Sequence, residues 1–368
     1  LDYSARILRQ EDWRQWDVFV ASHSLGNIHQ TSQWGGFQAS RGAEWKFWVI
    51  GAFLGEKLVG GALILRRRLP FGRCWLYIPK GPLIDYTEAA GQAQLNLLLT
   101  ELKALGRREK AVFLRVEPGL VEKGPAGFGL HSAFDWRKEG FRPAHAHYQP
   151  ENTLIVDLKE TEQQILAQMK PKGRYNIKVA EKKGVKVLLA GREISEKEAV
   201  SEFHRLLVET TSRDGFAGHA PEYYLEMLEK LGKKQVKLYL AKLDDKIIAG
   251  IIVTFYGDLA IYYFGASSNQ YRNVMAPYLL QWEAMRTAKQ SGQSWYDFLG
   301  TAPLEEAAAE RAEGGAGEFS YDRKHAWAGV TEFKLKFGGK KVAFYPGREQ
   351  IYQPLFYWLI RLRKMMPF

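Results

Sequence analysis

One order of features occurs twice along this chain, and the repetition restricts its fold more than any single motif does. In the first half an apolar run ends at the turn Gly55-Glu56, and Lys57-Leu58-Val59-Gly60-Gly61 opens the next run. A third run follows, then a leucine-rich segment with helical spacing that ends at Leu105-Gly106, then FLRV. In the second half Asp244-Asp245 makes the turn and Lys246-Ile247-Ile248-Ala249-Gly250 opens the next run. The helical segment there ends at Ser291-Gly292, before YDFL. Gly61 and Gly106 lie 45 residues apart, and Gly250 and Gly292 lie 42 apart. Each copy reads as antiparallel hairpins, a helix and a returning strand. The chain is therefore predicted to be α+β, with two copies of one domain. Its 368 residues agree with two domains.

Local signals fill in the plan. Helices are predicted over Glu11–Ser22 and from Thr31 or Ser32 onward, where QTSQWGGFQ offers a polar cap followed by Trp34 and Phe37. Strands are predicted over Lys46–Leu54, Lys57–Leu69, Cys74–Ile78 and Ala111–Glu117, the last stopped by Pro118, with a helix over Glu88–Arg108. A second unit opens with a strand, Thr153–Leu158. A basic helix follows over Thr161–Lys183, broken near Pro171 and Gly173. Then come a strand over Val185–Leu189 and helices over Ser195–Arg213 and Pro221–Leu231. Tyr262–Trp282 reads as a strand, a polar turn with Arg272 and Asn273, and a helix running from Ala276 to Lys289. Residues 304–319, rich in Ala, Glu and Gly, read as a mobile surface loop or a helical turn, and Gln350–Met366 as an aromatic, basic amphipathic helix.

Composition excludes several classes. A 46% hydrophobic fraction supplies sizeable cores, so disorder does not dominate. The single cysteine, Cys74, rules out an internal disulfide and cysteine-rich zinc sites and fits a reducing compartment. The eight histidines show no HxxxH or HExxH pattern, so no metal is expected. The polar start LDYSARILRQEDW has no signal-peptide core, and no apolar run approaches the ~20 residues that span a bilayer. A cytoplasmic protein is expected, either free or at the inner face of the membrane. The formal charge of +11 reads either as a solvated basic surface or as the footprint of a polyanionic partner.

Several segments, in one order along nearly the whole chain, resemble the FemABX family of aminoacyl-tRNA-dependent peptidyltransferases. They are QTSQWGGF, LYIPKGPLIDY, FLRVEP, MKPKGRYNIKVAEKKGV, TTSRDGF with EYY, YYFGASS with RNVMAPYLLQWEAM, YDFLG and VTEFKLKFGG. The resemblance implies two tandem GNAT-like (N-acyltransferase-like) domains, with the C-terminal helix packed back on the first. The expected division is 1–150 with 346–368, and 151–345. No pair of long heptad helices is present, so the coiled-coil arm of some members is not expected. The implied reaction moves an aminoacyl group from a tRNA ester to the stem-peptide amine of a peptidoglycan precursor, either UDP-linked or lipid-linked, and needs no cofactor. A monomer is expected.

An activated ester requires no Ser or Cys nucleophile; it requires positioning, a neutral amine and stabilisation of an oxyanion. The resemblance places Phe333 and Lys334 at the reaction centre, against the plain reading of a strand lysine. On a strand, FKLKF would put Lys334 and Lys336 on one face. It offers Arg213 as a phosphate grip, against a cation at a helix C-terminus. Glu117 matches an acidic position once considered a base, and Asp85 and Glu349 are further acidic candidates. For each carboxylate a structural salt bridge competes. Of Tyr262 and Tyr263, alternation lets one face a cleft, with Tyr263 favoured. Trp34 stands in the W-x-x-F motif. Gln38 replaces a lysine at the end of that motif, so Lys80 would take over its phosphate contact. Lys170, Lys172, Arg174, Lys178 and Lys182 form a basic stripe that reads as a solvated face or as tRNA contact. The tail IRLRKMM offers peripheral membrane contact, alongside a packing role for the aromatics before it.

The main alternative is an acyl-CoA-dependent N-acyltransferase on the same fold. Against it, the turn at 272–277 has no close glycine pair to cradle a pyrophosphate. Arg272 would there contact a substrate or serve its own helix. A non-enzymatic RNA-binding or cell-wall-associated protein is the third reading.

Overall fold

The computed structural model describes residues 3–86, 89–132, 134–215, 217–306 and 319–362. The chain packs as two units, Leu1–Glu151 with Ala343–Phe368, and Asn152–Val342. In chain order the first stretch contains β1 (Tyr3–Ile7), α1 (Trp13–Ser22), α2 (Ser32–Ser40), β2 (Trp45–Leu54), β3 (Lys57–Leu69), β4 (Arg73–Pro79), α3 (Ala89–Arg108), β5 (Ala111–Glu117), β6 (Val121–Lys123) and β7 (Arg142–Pro143). Next come β8 (Asn152–Asp157), α4 (Glu162–Gln168), α5 (Pro171–Lys182), β9 (Lys186–Leu189), α6 (Glu196–Asp214) and α7 (Pro221–Gln235). They are followed by β10 (Val236–Leu243), β11 (Lys246–Tyr256), β12 (Leu259–Ser267), α8 (Ala276–Gln290) and β13 (Trp295–Asp297). The chain ends with the short β14 (Glu305–Glu306) and β15 (Phe319–Ser320), then α9 (Ala328–Lys334), β16 (Lys340–Phe344), β17 (Arg348–Ile351) and α10 (Pro354–Leu362).

The repeat read from sequence is a repeat of topology. In the first unit the sheet order is β1-β2-β3-β4-β5-β17-β7, and in the second β9-β10-β11-β12-β13-β8-β16. The parallel pairs, β4–β5 and β12–β13, occupy the same place and are flanked by antiparallel neighbours in both. Even the irregularity repeats. The β2–β3 register slips between Ala52 and Phe53, leaving Val59 as the extra residue, and the β10–β11 register slips between Ala241 and Lys242, leaving Ile248. Those two residues hold the same position in the quoted turn motifs, so both copies carry one β-bulge at one site. Two residues beyond it, a Cβ on Gly61 would lie 2.6 Å from the Trp16 ring of α1, and one on Gly250 would lie 2.9 Å from Phe203 of α6. Glycine at both positions lets a helix lie flat on the sheet.

Each unit has its own apolar core. Trp16, Phe37, Ile50, Leu76, Phe113 and Tyr357 are buried in the first. Leu154, Val156, Ile251, Val253, Tyr296, Phe298 and Phe337 belong to that of the second. The basic helix breaks where Pro171 excludes an α-helical residue before it: Met169 and Lys170 are extended and Pro171 restarts the helix as α5. Three expectations need correction. The strand β1 carries a half-exposed pattern too short to stand out and was not anticipated. Gln350 is not helical; it lies in β17, because pairing with Leu114 of β5 outweighs the amphipathic pattern, and α10 starts at Pro354. The segment Val330–Phe337 is not a strand, as described below. The expectations for Glu88, for most of 304–319 and for the helix beyond Leu362 lie outside the described residues.

Candidate functional site

Lys334 is the last residue of α9, and a single 3-10 turn (Leu335–Phe337) continues from it. The alternation expected for FKLKF therefore does not apply. Helical turns put Phe333 and Phe337 on one side, against Tyr278 at ring distances of 5.0 and 5.5 Å, and Phe337 on Phe298 at 5.0 Å. Lys336 turns away to pair with Glu332 at 2.9 Å. Lys334 is 6% exposed, and its ammonium donates to the carbonyls of Leu299 and Gly300, each at 2.6 Å. Burial pulls its pKa down to about 7, opposed by the charge of Asp297. Two carbonyl acceptors leave one ammonium N–H to offer elsewhere. The Tyr262 ring centre lies 5.8 Å from Nζ.

The loop that holds the lysine is built just past β13. Leu299 has φ +53, a left-handed conformation unusual for leucine. It is held there by its N–H donating to Asp297 Oδ1 at 2.7 Å, while the Thr153 hydroxyl donates to the same oxygen. Thr301 N–H donates to Asn152 O at 3.0 Å, and Ala302 N–H to the Thr331 hydroxyl of α9 at 2.8 Å. From the other side, Lys170 N–H donates to Lys336 O at 3.1 Å, and a Cβ on Gly173 would lie 2.2 Å from that oxygen. Glycine at 173 thus lets α5 rest on the backbone behind Lys334. Asp297 was missed in the sequence reading; its signal stands in YDFLG, an acid inside an otherwise apolar returning strand.

The tyrosine pair is not a simple alternation. The β11–β12 register slips between Ile252 and Val253, whose partners are Phe264 and Tyr262, so Tyr263 is an extra, bulged residue. Burial pushes its hydroxyl well above the ordinary value, helped by the nearby Tyr223 and Asp297. Tyr262 packs on Phe298 at 6.3 Å. Arg213 lies in the last turn of α6, where a cation meets the helix C-terminus, and donates to Asn269 Oδ1 at 2.6 Å. In the turn before α8, Met275 has φ +61, Asn273 O accepts from Lys183 Nζ at 2.7 Å, and Arg272 is exposed.

Several candidates prove to be occupied inside their own unit. Trp34 is 5% exposed and packs edge-on against His29 and Phe37, and Gln38 Oε1 accepts from Arg41 at 2.8 Å; both are core positions. Glu349 is fully buried and accepts from Arg115 at 2.6 and 2.9 Å and from the Tyr357 hydroxyl at 2.6 Å, with His145 Nδ1 3.0 Å away. Glu117 accepts from Tyr148 N–H at 2.6 Å, Gln149 N–H at 2.9 Å and the Tyr77 hydroxyl. Glu117 nonetheless lines a small, open cleft in the first unit, shared with Lys80, His147, Glu151, Phe344 and Tyr345. Lys80 Nζ stands 3.3 Å from the Phe344 ring centre. Asp85 is half-buried, with its N–H donating to Gln94 Oε1 at 3.0 Å. On α5, Arg174 is turned onto the carbonyls of Met169 and Ala167 and leaves the stripe. Lys172, Lys178 and Lys182 are exposed and Lys170 half-buried. The 66% exposed Tyr175, not singled out in the sequence, stands beside Lys178. Among the described residues, no group of three or more His, Cys, Asp or Glu side chains is placed to hold a metal ion. No helix among them is long and apolar enough to cross a membrane.

Two units, each with a mainly antiparallel sheet that carries one parallel pair, define a tandem GNAT-like fold. The crystal structure of FemX superposes with a TM-score of 0.79 at 20% identity, covering 97% of this chain and 99% of that one. A tandem GNAT protein from the clavulanic acid biosynthesis pathway gives 0.54 at 11% identity, covering 95% and 98%. The FemAB family matches residues 12–126, 131–247 and 244–364, and the chain belongs to that family. Among its relatives, the Lipid II:glycine glycyltransferase of Staphylococcus haemolyticus (strain JCSC1435) is 26% identical over 355 residues, covering 77% of this chain and 82% of the relative. The Staphylococcus aureus protein of the same name is 24% identical over 358 residues, with the same coverage.

Proposed function

We propose that this protein transfers an aminoacyl group from an aminoacyl-tRNA ester to an amine of the stem peptide of a peptidoglycan precursor, building an interpeptide bridge. The observation that carries the reading is Lys334: a buried amine, clamped by two carbonyls, in a chain whose relatives are named for glycyl transfer to lipid II. The ester carbon is attacked by the neutral acceptor amine. The C–N bond forms as the carbonyl oxygen takes up negative charge, and the tRNA ribose oxygen leaves as the carbonyl re-forms. The acceptor nitrogen loses a proton and the ribose oxygen gains one. In this reading Lys334, as ammonium, donates to the developing oxyanion, and Phe333 and Phe337 fix its helix against Tyr278. Arg213 and Lys80 are the proposed phosphate contacts, Tyr263 a wall of the acceptor site, and Lys172, Lys178 and Lys182 the contacts to the tRNA backbone.

The test presents the purified protein with charged tRNAs and with both nucleotide-linked and lipid-linked precursors, and follows labelled amino acid into the precursor. Transfer from a tRNA supports the reading. Turnover from acyl-CoA with none from any tRNA overturns it in favour of the N-acyltransferase alternative. Lys334→Ala is expected to lower the transfer rate at least tenfold, about 1.4 kcal/mol of barrier, with the circular dichroism spectrum unchanged. An undiminished rate would remove Lys334 from the mechanism.

A further inference from the structure

The helix α10 is buried on one side only. Tyr357 and Ile360 are inside, at 1% and 9% exposure, whereas Leu355, Trp358, Leu359 and Leu362 are 70, 48, 44 and 79% exposed. Those four residues follow i, i+3, i+4, i+7 spacing, so they form one continuous stripe along the helix. A second element joins it. The β3–β4 hairpin tip presents Phe71, 79% exposed, and Arg73 of the same hairpin lies 4.1 Å above the Phe356 ring of α10. Charge accompanies the apolar residues. Arg361 covers Trp358 at 5.1 Å, Arg363 and Lys364 follow in the sequence, and no Asp or Glu occurs between residues 350 and 368.

We propose that the Leu355–Trp358–Leu359–Leu362 face of α10, together with Phe71, docks this protein on an anionic lipid bilayer. A short helix with Trp and Leu on one face and cations beside them suits the boundary between headgroups and acyl chains. The charges decide between this occupant and a second copy of the chain. Two identical patches would bring Arg73 and Arg361 of one copy up against those of the other, whereas an anionic leaflet neutralises them. The inference goes beyond the transfer reading and does not depend on it, because adsorption is measured without donor or acceptor.

The experiment is co-sedimentation of the full chain with large unilamellar vesicles, either pure phosphatidylcholine or phosphatidylcholine mixed with phosphatidylglycerol. Wild type is expected to partition roughly tenfold or more strongly onto the anionic vesicles, and the combined Leu355→Ser, Trp358→Ser, Leu359→Ser variant to lose about tenfold or more of that affinity. Phe71→Asn provides an independent arm that leaves the helix packed on the first unit untouched. Asparagine tolerates the φ of +61 at this position. Phe71→Asn is expected to weaken adsorption about threefold with an unchanged melting temperature. Adsorption that neither variant weakens overturns the proposal. So does a wild type that ignores vesicles but forms a dimer, by light scattering, which the triple variant abolishes.

Discussion

At one position the two units carry opposite buried charges. Leu65 and Thr254 each lie four residues beyond the glycine that marks the repeat, Gly61 and Gly250. Leu65 pairs with Tyr77 and Tyr77 with Arg115; Thr254 pairs with Ile261 and Ile261 with Asp297. Arg115 and Asp297 are thus the same sheet position, 2% and 4% exposed. The first unit closes its charge into a structural network. Opposite Arg115 on the neighbouring strand stands Glu349, and His145 and Tyr357 complete it. In the second unit Ile155 stands opposite Asp297 and supplies no partner charge. Asp297 instead organises the Leu299 turn, whose carbonyls grip Lys334. One copy uses the position for cohesion, and the other uses it to hold a near-neutral amine. A duplicated scaffold can divide these tasks because the backbone register survives while the side chains change.

The largest expected effect tests the cohesive half. Glu349→Gln leaves the Arg115 guanidinium buried without its counter-charge and should destabilise by about 3–5 kcal/mol in urea titration. Burial pushes the Glu349 carboxyl up, but the hydrogen bonds from His145 and Tyr357 and the charge of Arg115 outweigh it and leave the pKa lowered from 4.5. A lowered folded-state pKa contributes stability above the unfolded value and loses it as pH falls through the folded one. The difference between wild type and variant should therefore be full at neutral pH and shrink below pH 4.5. A loss under 1 kcal/mol at neutral pH would mean that the network is no firmer than a surface ion pair.

A smaller effect sharpens the assignment of Glu117. With three donors on its carboxylate, Glu117→Gln places an amide N–H₂ against groups that also donate, which should cost about 1–3 kcal/mol of stability. Its transfer rate per folded molecule should stay within about threefold of wild type, since no step of the proposed reaction needs a base at this position. A tenfold lower rate with the fold intact would return Glu117 to the chemistry.

The repeat, the parallel returning strands and the helix break at Pro171 were all legible, because turn chemistry, apolar runs and proline act locally. The site was legible mainly where a motif named it. Lys334 was singled out, but its helix was not, since FKLKF alternates as a strand would and only packing of Phe333 and Phe337 on Tyr278 decides otherwise. For Glu349 the site reading and the structural salt bridge stayed open, and Trp34 stood as a site candidate, because nothing nearby in sequence shows Arg115, His145 or His29 closing over them. Asp297 escaped notice for the converse reason: its partners Thr153 and Lys334 lie far away in the chain and meet it only through the sheet.

The last expected effect tests the other half of the comparison, the amine itself. Burial lowers the Lys334 pKa from 10.5 to about 7, so the ammonium that donates to an oxyanion is lost as pH rises through neutrality. The transfer rate at saturating substrates should then carry a descending limb with its midpoint near pH 7, falling about tenfold per pH unit beyond it. The acceptor amine, which must be neutral to attack, contributes an ascending limb of its own. The two are separated with Lys334→Gln, whose lower rate should keep the ascending limb and lack the descending one. A limb at pH 7 that rises instead, and vanishes in the variant, would make the neutral amine the working form and Lys334 a base. A wild-type profile without a limb near pH 7 would mean that the carbonyls of Leu299 and Gly300 hold the proton on Lys334 against the cost of burial.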